Sequence, residues 1–158
     1  MLKKMKSLYV AFAAIITFAV AAVAEPVKLG IDVLKESQFD VLKGKRVGIL
    51  THQAGVDSTQ KPTWQILLEE PSVNLKAIFA PEHGLFGKFA AGEEFHDDVV
   101  QGLNIYATYG ANVRPNAEWL QDLDVVVIDL QDIGVRYYTY VSSMIYMMIA
   151  CFEAGIEV

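Results

Sequence analysis

The sequence predicts an α/β domain built on a mostly parallel sheet with helices on both faces. Three observations carry this. Val125-Val126-Val127-Ile128 is a continuous apolar run with no alternation, which is how a strand covered on both faces reads. Segments of strand length alternate along the chain with segments of helical pattern, the mark of a doubly wound α/β domain. The stretches that follow the strands are rich in polar residues and glycine, as expected where an open parallel sheet presents its ligand site.

The first residues are set apart from the fold. Lys3, Lys4 and Lys6 form a basic end, Leu8 to Val20 is apolar except for Thr17, and Ala22-Val23-Ala24 supplies small residues before Glu25 and Pro26. These are the three parts of a secretory leader. Residues 1–24 are therefore read as a signal peptide, and residues 25–158 as the exported domain. The apolar stretch is at the short edge of the roughly 20 residues that span a bilayer, so a membrane anchor is the weaker reading.

Strands are expected over Arg46–Thr51, Leu75–Ala80 and Asp124–Leu130. A helix is expected over Thr63–Glu70, where Pro62 stands at a tolerated position. A short one is expected over Asn116–Gln121 and a long, Met-rich one over Tyr138–Ala154, closed by Gly155. Ile156-Glu157-Val158 resembles the opening of one more strand, so the chain is expected to be the truncated N-terminal domain of a larger protein. Gly84 to Gly102 reads as a long polar loop, and loops of that length are often functional.

Composition removes several function classes. Setting aside the three leader lysines leaves ten Lys and Arg against nineteen Asp and Glu, a net charge of −9. No basic cluster is present to meet phosphates or an anionic membrane, so neither nucleic acid nor a membrane surface is an expected partner. The single cysteine, Cys151, excludes an internal disulfide and reads as a small buried hydrophobe. The glycines form neither a P-loop nor a dinucleotide fingerprint. His52, His83 and His96 fit no familiar zinc spacing, and no cofactor or metal is expected.

The polar residues after the three strands are the candidate site. They include His52 after the first, Glu82 and His83 after the second, and Gln131, Asp132, Arg136, Tyr138 and Tyr140 after the third. Glu82 follows an apolar strand and a proline. Partial desolvation there would raise its pKa toward general-acid use. Equally, it reads as a loop carboxylate that caps a turn or pairs with His83 or Arg136. Asp132 and Arg136, four residues apart, read as a salt bridge or a helix cap, or as part of a site in which Arg136 grips a carboxylate.

Three motifs in this order carry a family resemblance. They are Gly44-Lys45-Arg46-Val47-Gly48-Ile49-Leu50-Thr51, Phe79-Ala80-Pro81-Glu82-His83-Gly84-Leu85-Phe86-Gly87, and Asp129-Leu130-Gln131-Asp132-Ile133-Gly134-Val135-Arg136-Tyr137-Tyr138-Thr139-Tyr140. Together they resemble the exo-β-N-acetylmuramidases of peptidoglycan recycling, across roughly residues 29–158. The resemblance implies a Rossmann-like N-terminal domain with a smaller C-terminal domain beyond it. It implies a bacterial glycoside hydrolase, periplasmic or extracellular, that removes terminal N-acetylmuramic acid from peptidoglycan-derived muramyl saccharides. Glu82 is then the expected catalytic acid and Asp132 a possible second catalytic group. His52, His83, Gln131, Arg136, Tyr138 and Tyr140 are the expected substrate-binding positions. One departure stands out: His52 occupies a position where many relatives carry asparagine. Two other classes compete with this reading, a non-catalytic binding protein for cell-wall sugars and a metal-dependent hydrolase using Glu82, His83 and Asp132.

Overall fold

The computed structural model describes residues 27–158, so the predicted leader lies outside the described residues. In chain order the elements are α1 (Gly30–Glu36), β1 (Arg46–Thr51), α2 (Thr63–Glu69), β2 (Asn74–Ala80), β3 (Asp98–Val100), β4 (Leu103–Ala107), α3 (Ala117–Leu120), β5 (Val125–Asp129) and α4 (Tyr140–Ala154). The five strands form one sheet in the order β3-β4-β2-β1-β5. β1 runs parallel to β2 and β5, and β2 runs parallel to β4. Only the short edge strand β3 is antiparallel to its neighbour.

The predicted layers form because alternate residues of each central strand feed opposite cores. Val47, Ile49, Ile78 and Val125 pack with Ile31, Trp64 and Leu67 on the face covered by α1 and α2. Leu50, Phe79 and Val126 pack with Leu120, Met147 and Cys151 on the face covered by α3 and α4. Leu50, Phe79 and Met147 are wholly buried. Truncating any one of them costs a few kcal/mol, roughly 2–5. Gly48 in β1 makes room for this packing. A Cβ there would meet Leu123 Cδ1 at 2.8 Å and the Phe79 ring at 3.1 Å. Cys151 is fully buried, and burial pushes its thiol up to about 11, in keeping with the hydrophobic role expected of it.

Several boundaries differ from the sequence reading. α1 and β4 were not foreseen. β4 carries its buried residues only at Leu103, Ile105 and Ala107, with Asn104 and Tyr106 between them. It is half-covered, so it lacks the continuous apolar run of β5. The expected loop from Gly84 to Gly102 is broken by β3, which pairs with β4 across a turn at Gln101 and Gly102. α4 begins at Tyr140, two residues later than expected. Tyr138 donates its N–H to the Val135 carbonyl in a turn, and Thr139 is the residue before the helix. Asp132 therefore does not cap this helix. Gly155 ends α4 in the left-handed conformation at φ 69°, and Ile156 N–H returns to the Cys151 carbonyl at 2.8 Å. Beyond it, Glu157 bridges Val125 in parallel, as expected for the residues that follow.

No helix among the described residues is long and apolar enough to cross a membrane.

Candidate active site

The parallel strands bring their carboxyl ends to one edge. Three were expected there: the stretches after β1, β2 and β5. The structure adds a fourth, because β4 also runs parallel to β2 and delivers Thr108 and, beside Glu82, Tyr109. Thr108 is locked in place by its own N–H and hydroxyl, both donated to the Ala80 carbonyl at 2.9 Å.

Glu82 is held on both carboxylate oxygens. Thr139 Oγ1 donates to its Oε2 at 2.6 Å, and Gly92 N–H donates to its Oε1 at 2.8 Å. The main chain of the same residue is also gripped: the Tyr140 hydroxyl donates to the Glu82 carbonyl at 3.2 Å. The Gly92 donor is placed by the loop after β2. There His83 adopts φ 71° and its Nδ1 faces the Phe89 carbonyl at 2.9 Å. The Phe89 ring stacks on Phe95 with centroids 4.8 Å apart. Ala90 N–H donates to the Glu93 carboxylate, which shapes the turn that presents Gly92.

The electrostatics correct one expectation. Burial pushes Glu82 up, as predicted for a carboxyl at an apolar rim. The bonds from Thr139 and Gly92, the Tyr109 hydroxyl and the nearby charge of His83 outweigh it, and Glu82 is held below its ordinary value. The Tyr109 phenol is raised in turn, first by its hydrogen bond to Glu82 and then by burial. Glu82 is therefore a carboxylate at neutral pH.

His52 is buried, at 3% exposure, and its Nε2 accepts the Gln131 N–H at 2.9 Å. Burial lowers its pKa, so the ring is neutral with the proton on Nδ1. Its side chain holds the start of the loop after β5 rather than facing open solvent. Its ring also packs edge-on to Tyr140, centroids 4.6 Å apart. Tyr140 is buried as well, at 1% exposure, with its hydroxyl on the Glu82 main chain. Tyr138 lies 4.6 Å from the Tyr140 ring and is only half-buried.

The other candidates lie on the exposed loop after β5. Gln131, Asp132 and Arg136 are all exposed. Asp132 accepts the Gly134 N–H at 2.7 Å, a turn closed by its own carboxylate. Among the described residues Arg136 makes no ion pair, so the expected Asp132–Arg136 bridge is not formed. Nor do the described residues gather three or more His, Cys, Asp or Glu side chains in a group able to hold a metal ion. Beside this edge a cleft of about 600 Å³ is lined by Gln53, Gln60, Asp129 and Gln131, among others, a volume that suits a small molecule.

The sequence reading missed Thr139, Tyr109 and Gln53. Thr139 sat inside the third motif and was passed over for its aromatic neighbours. Tyr109 needed β4, whose five-residue alternation is the signal that would have found it. Gln53 reaches toward the loop after β2, where a Cβ on Gly87 would meet its side chain at 2.9 Å.

Known proteins resemble this chain in sequence and in fold. The model of the family described as "Exo-beta-N-acetylmuramidase NamZ, N-terminal" matches residues 47–158. The peptidoglycan beta-N-acetylmuramidase NamZ of Bacillus subtilis (strain 168) is 42% identical over 132 residues, covering 82% of this chain and 32% of that protein. Two crystal structures of DUF1343 family proteins from Bacteroides fragilis NCTC 9343 are similar. One has a TM-score of 0.75 at 46% identity, over 82% of this chain and 33% of that one. The other has a TM-score of 0.65 at 31% identity, over 84% and 33%. The chain thus spans about a third of the length of the relatives it matches.

Proposed function

The chain belongs to the NamZ N-terminal family, and from that premise we propose that it serves a glycoside hydrolase acting on peptidoglycan, with Glu82 as its general acid. The observation that carries this reading is the grip on Glu82 at the carboxyl edge of the sheet. Its carboxylate and its main chain are both fixed by residues of other segments. A catalytic group needs that kind of positioning.

The substrate of this reading is a peptidoglycan fragment that ends in N-acetylmuramic acid, released from the non-reducing end outside the cytoplasm. Glu82 protonates the leaving glycosidic oxygen. It is ionised at neutral pH, so it must take up a proton as substrate binds. Burial is the largest single influence on it, and a sugar covering the half-buried carboxylate deepens that burial. The lactyl carboxylate of the sugar adds a like charge in the same direction. Arg136, exposed and without an ion pair among the described residues, is the cation available to that carboxylate. The second group is Asp132 if the two carboxyls lie within about 5–9.5 Å, and otherwise a group of the domain expected beyond this one or the acetamido group of the substrate.

The chain spans about a third of its relatives and is not expected to be active alone, so the test is to incubate the full-length protein with a muramic acid-capped saccharide and look for free N-acetylmuramic acid. Release of that sugar alone supports the exo reading. Saccharide binding with no release at any enzyme concentration would instead mark a binding module.

A further inference from the structure

Thr139 occupies the position before a helix where threonine is a favoured cap, yet its side chain makes no bond to its own helix. Its hydroxyl is turned to Glu82 Oε2. The residue itself is firmly placed: Ser143 donates its N–H to the Thr139 carbonyl at 3.0 Å, and its hydroxyl approaches the same oxygen at 3.4 Å. We propose that Thr139 is the positioning residue that lets Glu82 change protonation state without leaving its place. This rests on the reading of Glu82 as the acid.

The chemistry of the Gly92 and Thr139 donors separates their roles, the Tyr109 hydroxyl being a third contact on the carboxylate. The Gly92 N–H on Oε1 can only donate, so Oε1 stays unprotonated while that bond holds. A hydroxyl both donates and accepts. When Glu82 is a carboxylate, Thr139 donates to Oε2. When Glu82 is an acid, the proton sits on Oε2 and is donated to Thr139 Oγ1. The threonine hydrogen then turns to solvent, which a half-buried residue can reach. The oxygens keep their places in both states, and when the glycosidic bond breaks the Oε2 proton turns from Thr139 Oγ1 to the leaving oxygen, after which Thr139 donates to Oε2 again. A backbone donor on both oxygens would lock Glu82 as a carboxylate.

The experiment is a carbon-13 titration of the protein labelled at the glutamate side-chain carboxyl, with E82Q identifying the Glu82 resonance. T139V removes the hydroxyl at nearly constant volume, and T139S keeps it. Glu82 is expected to titrate at higher pH in T139V and as in the wild type in T139S. In turnover, T139V moves the alkaline limb of the kcat/KM profile, where the acid loses its proton, the same way and costs about tenfold in rate, the size of one lost hydrogen bond to a charged group. T139A gives the same expected titration if valine prevents folding. A Glu82 curve unchanged in both T139V and T139A, or one not restored by T139S, overturns the proposal. The titration needs no activity, so it stands even if the protein releases no sugar, an outcome that would count against the hydrolase reading alone.

Discussion

The hydroxyl of Tyr140, the first residue of α4, donates to the main-chain oxygen of Glu82, 58 residues earlier, at 3.2 Å. The tie joins the end of β2 to the loop after β5. Tyr140→Phe leaves the carbonyl without that partner while the ring keeps its packing against His52 and Tyr138. The expected loss of stability is about 1 kcal/mol. Urea unfolding of the variant checks it, and a midpoint equal to that of the wild type would show that the bond contributes nothing.

His52 makes a second, pH-dependent prediction. Burial lowers its pKa in the folded state, and its Nε2 must stay unprotonated to accept the Gln131 N–H. The unfolded chain binds a proton at this residue near pH 6.5, where the folded protein does not. Stability from this residue is therefore full above about pH 6.5 and falls as the pH drops below it. Urea midpoints measured from pH 7.5 down to pH 5 are expected to fall less steeply in His52→Gln than in the wild type. Equal slopes would mean that His52 titrates alike in both states.

Gly55 is required by close approach. A Cβ there would lie 2.1 Å from Thr51 Oγ1 and 3.2 Å from the Asp129 carboxylate. Thr51 is wholly buried, and Thr63 holds Asp129 with a 2.5 Å hydrogen bond. Neither neighbour is free to withdraw. Gly55→Ala is expected to cost at least the roughly 1–3 kcal/mol typical of overpacking. Thermal unfolding measures it, with Gly30→Ala as the sterically open comparison.

The sheet was legible in the sequence where its strands are covered on both faces. β1, β2 and β5 show long apolar runs for that reason, and their parallel order put Glu82, His52 and the third motif on one edge. β4 was not legible because Asn104 and Tyr106 interrupt it on its less covered face. With β4 went Tyr109, and with Tyr109 part of the explanation for the lowered pKa of Glu82. The direction of that shift was misread because burial was inferred from position, whereas the donors that outweigh it come from Thr139 and Gly92, distant in sequence. His52 and Tyr140 were expected to face a sugar, and their side chains are buried. Sequence spacing placed them at the right edge but gave no measure of depth.

Acid should loosen the junction between β1 and the turn before β5. Arg46 hydrogen-bonds the Asp124 carboxylate through its side chain and its main-chain N–H, and Asp124 is lowered to about 2. A depressed carboxylate contributes stability that is full above its unfolded value of about 3.9 and is lost as the pH falls toward 2. The pair is exposed, so salt should weaken the effect. Unfolding midpoints between pH 5 and pH 2 are expected to fall less in Asp124→Asn than in the wild type. The same slope in both would remove Asp124 from the acid response.

The most direct measurement is hydrolysis of a chromogenic β-N-acetylmuramide by the full-length protein, wild type against Glu82→Gln. The amide keeps the size of the side chain and removes its proton chemistry. General-acid catalysis by Glu82 predicts that kcat falls by about 10²–10⁴-fold while the fold is retained. Turnover in Glu82→Gln equal to that of the wild type would contradict it and take Glu82 out of the chemistry.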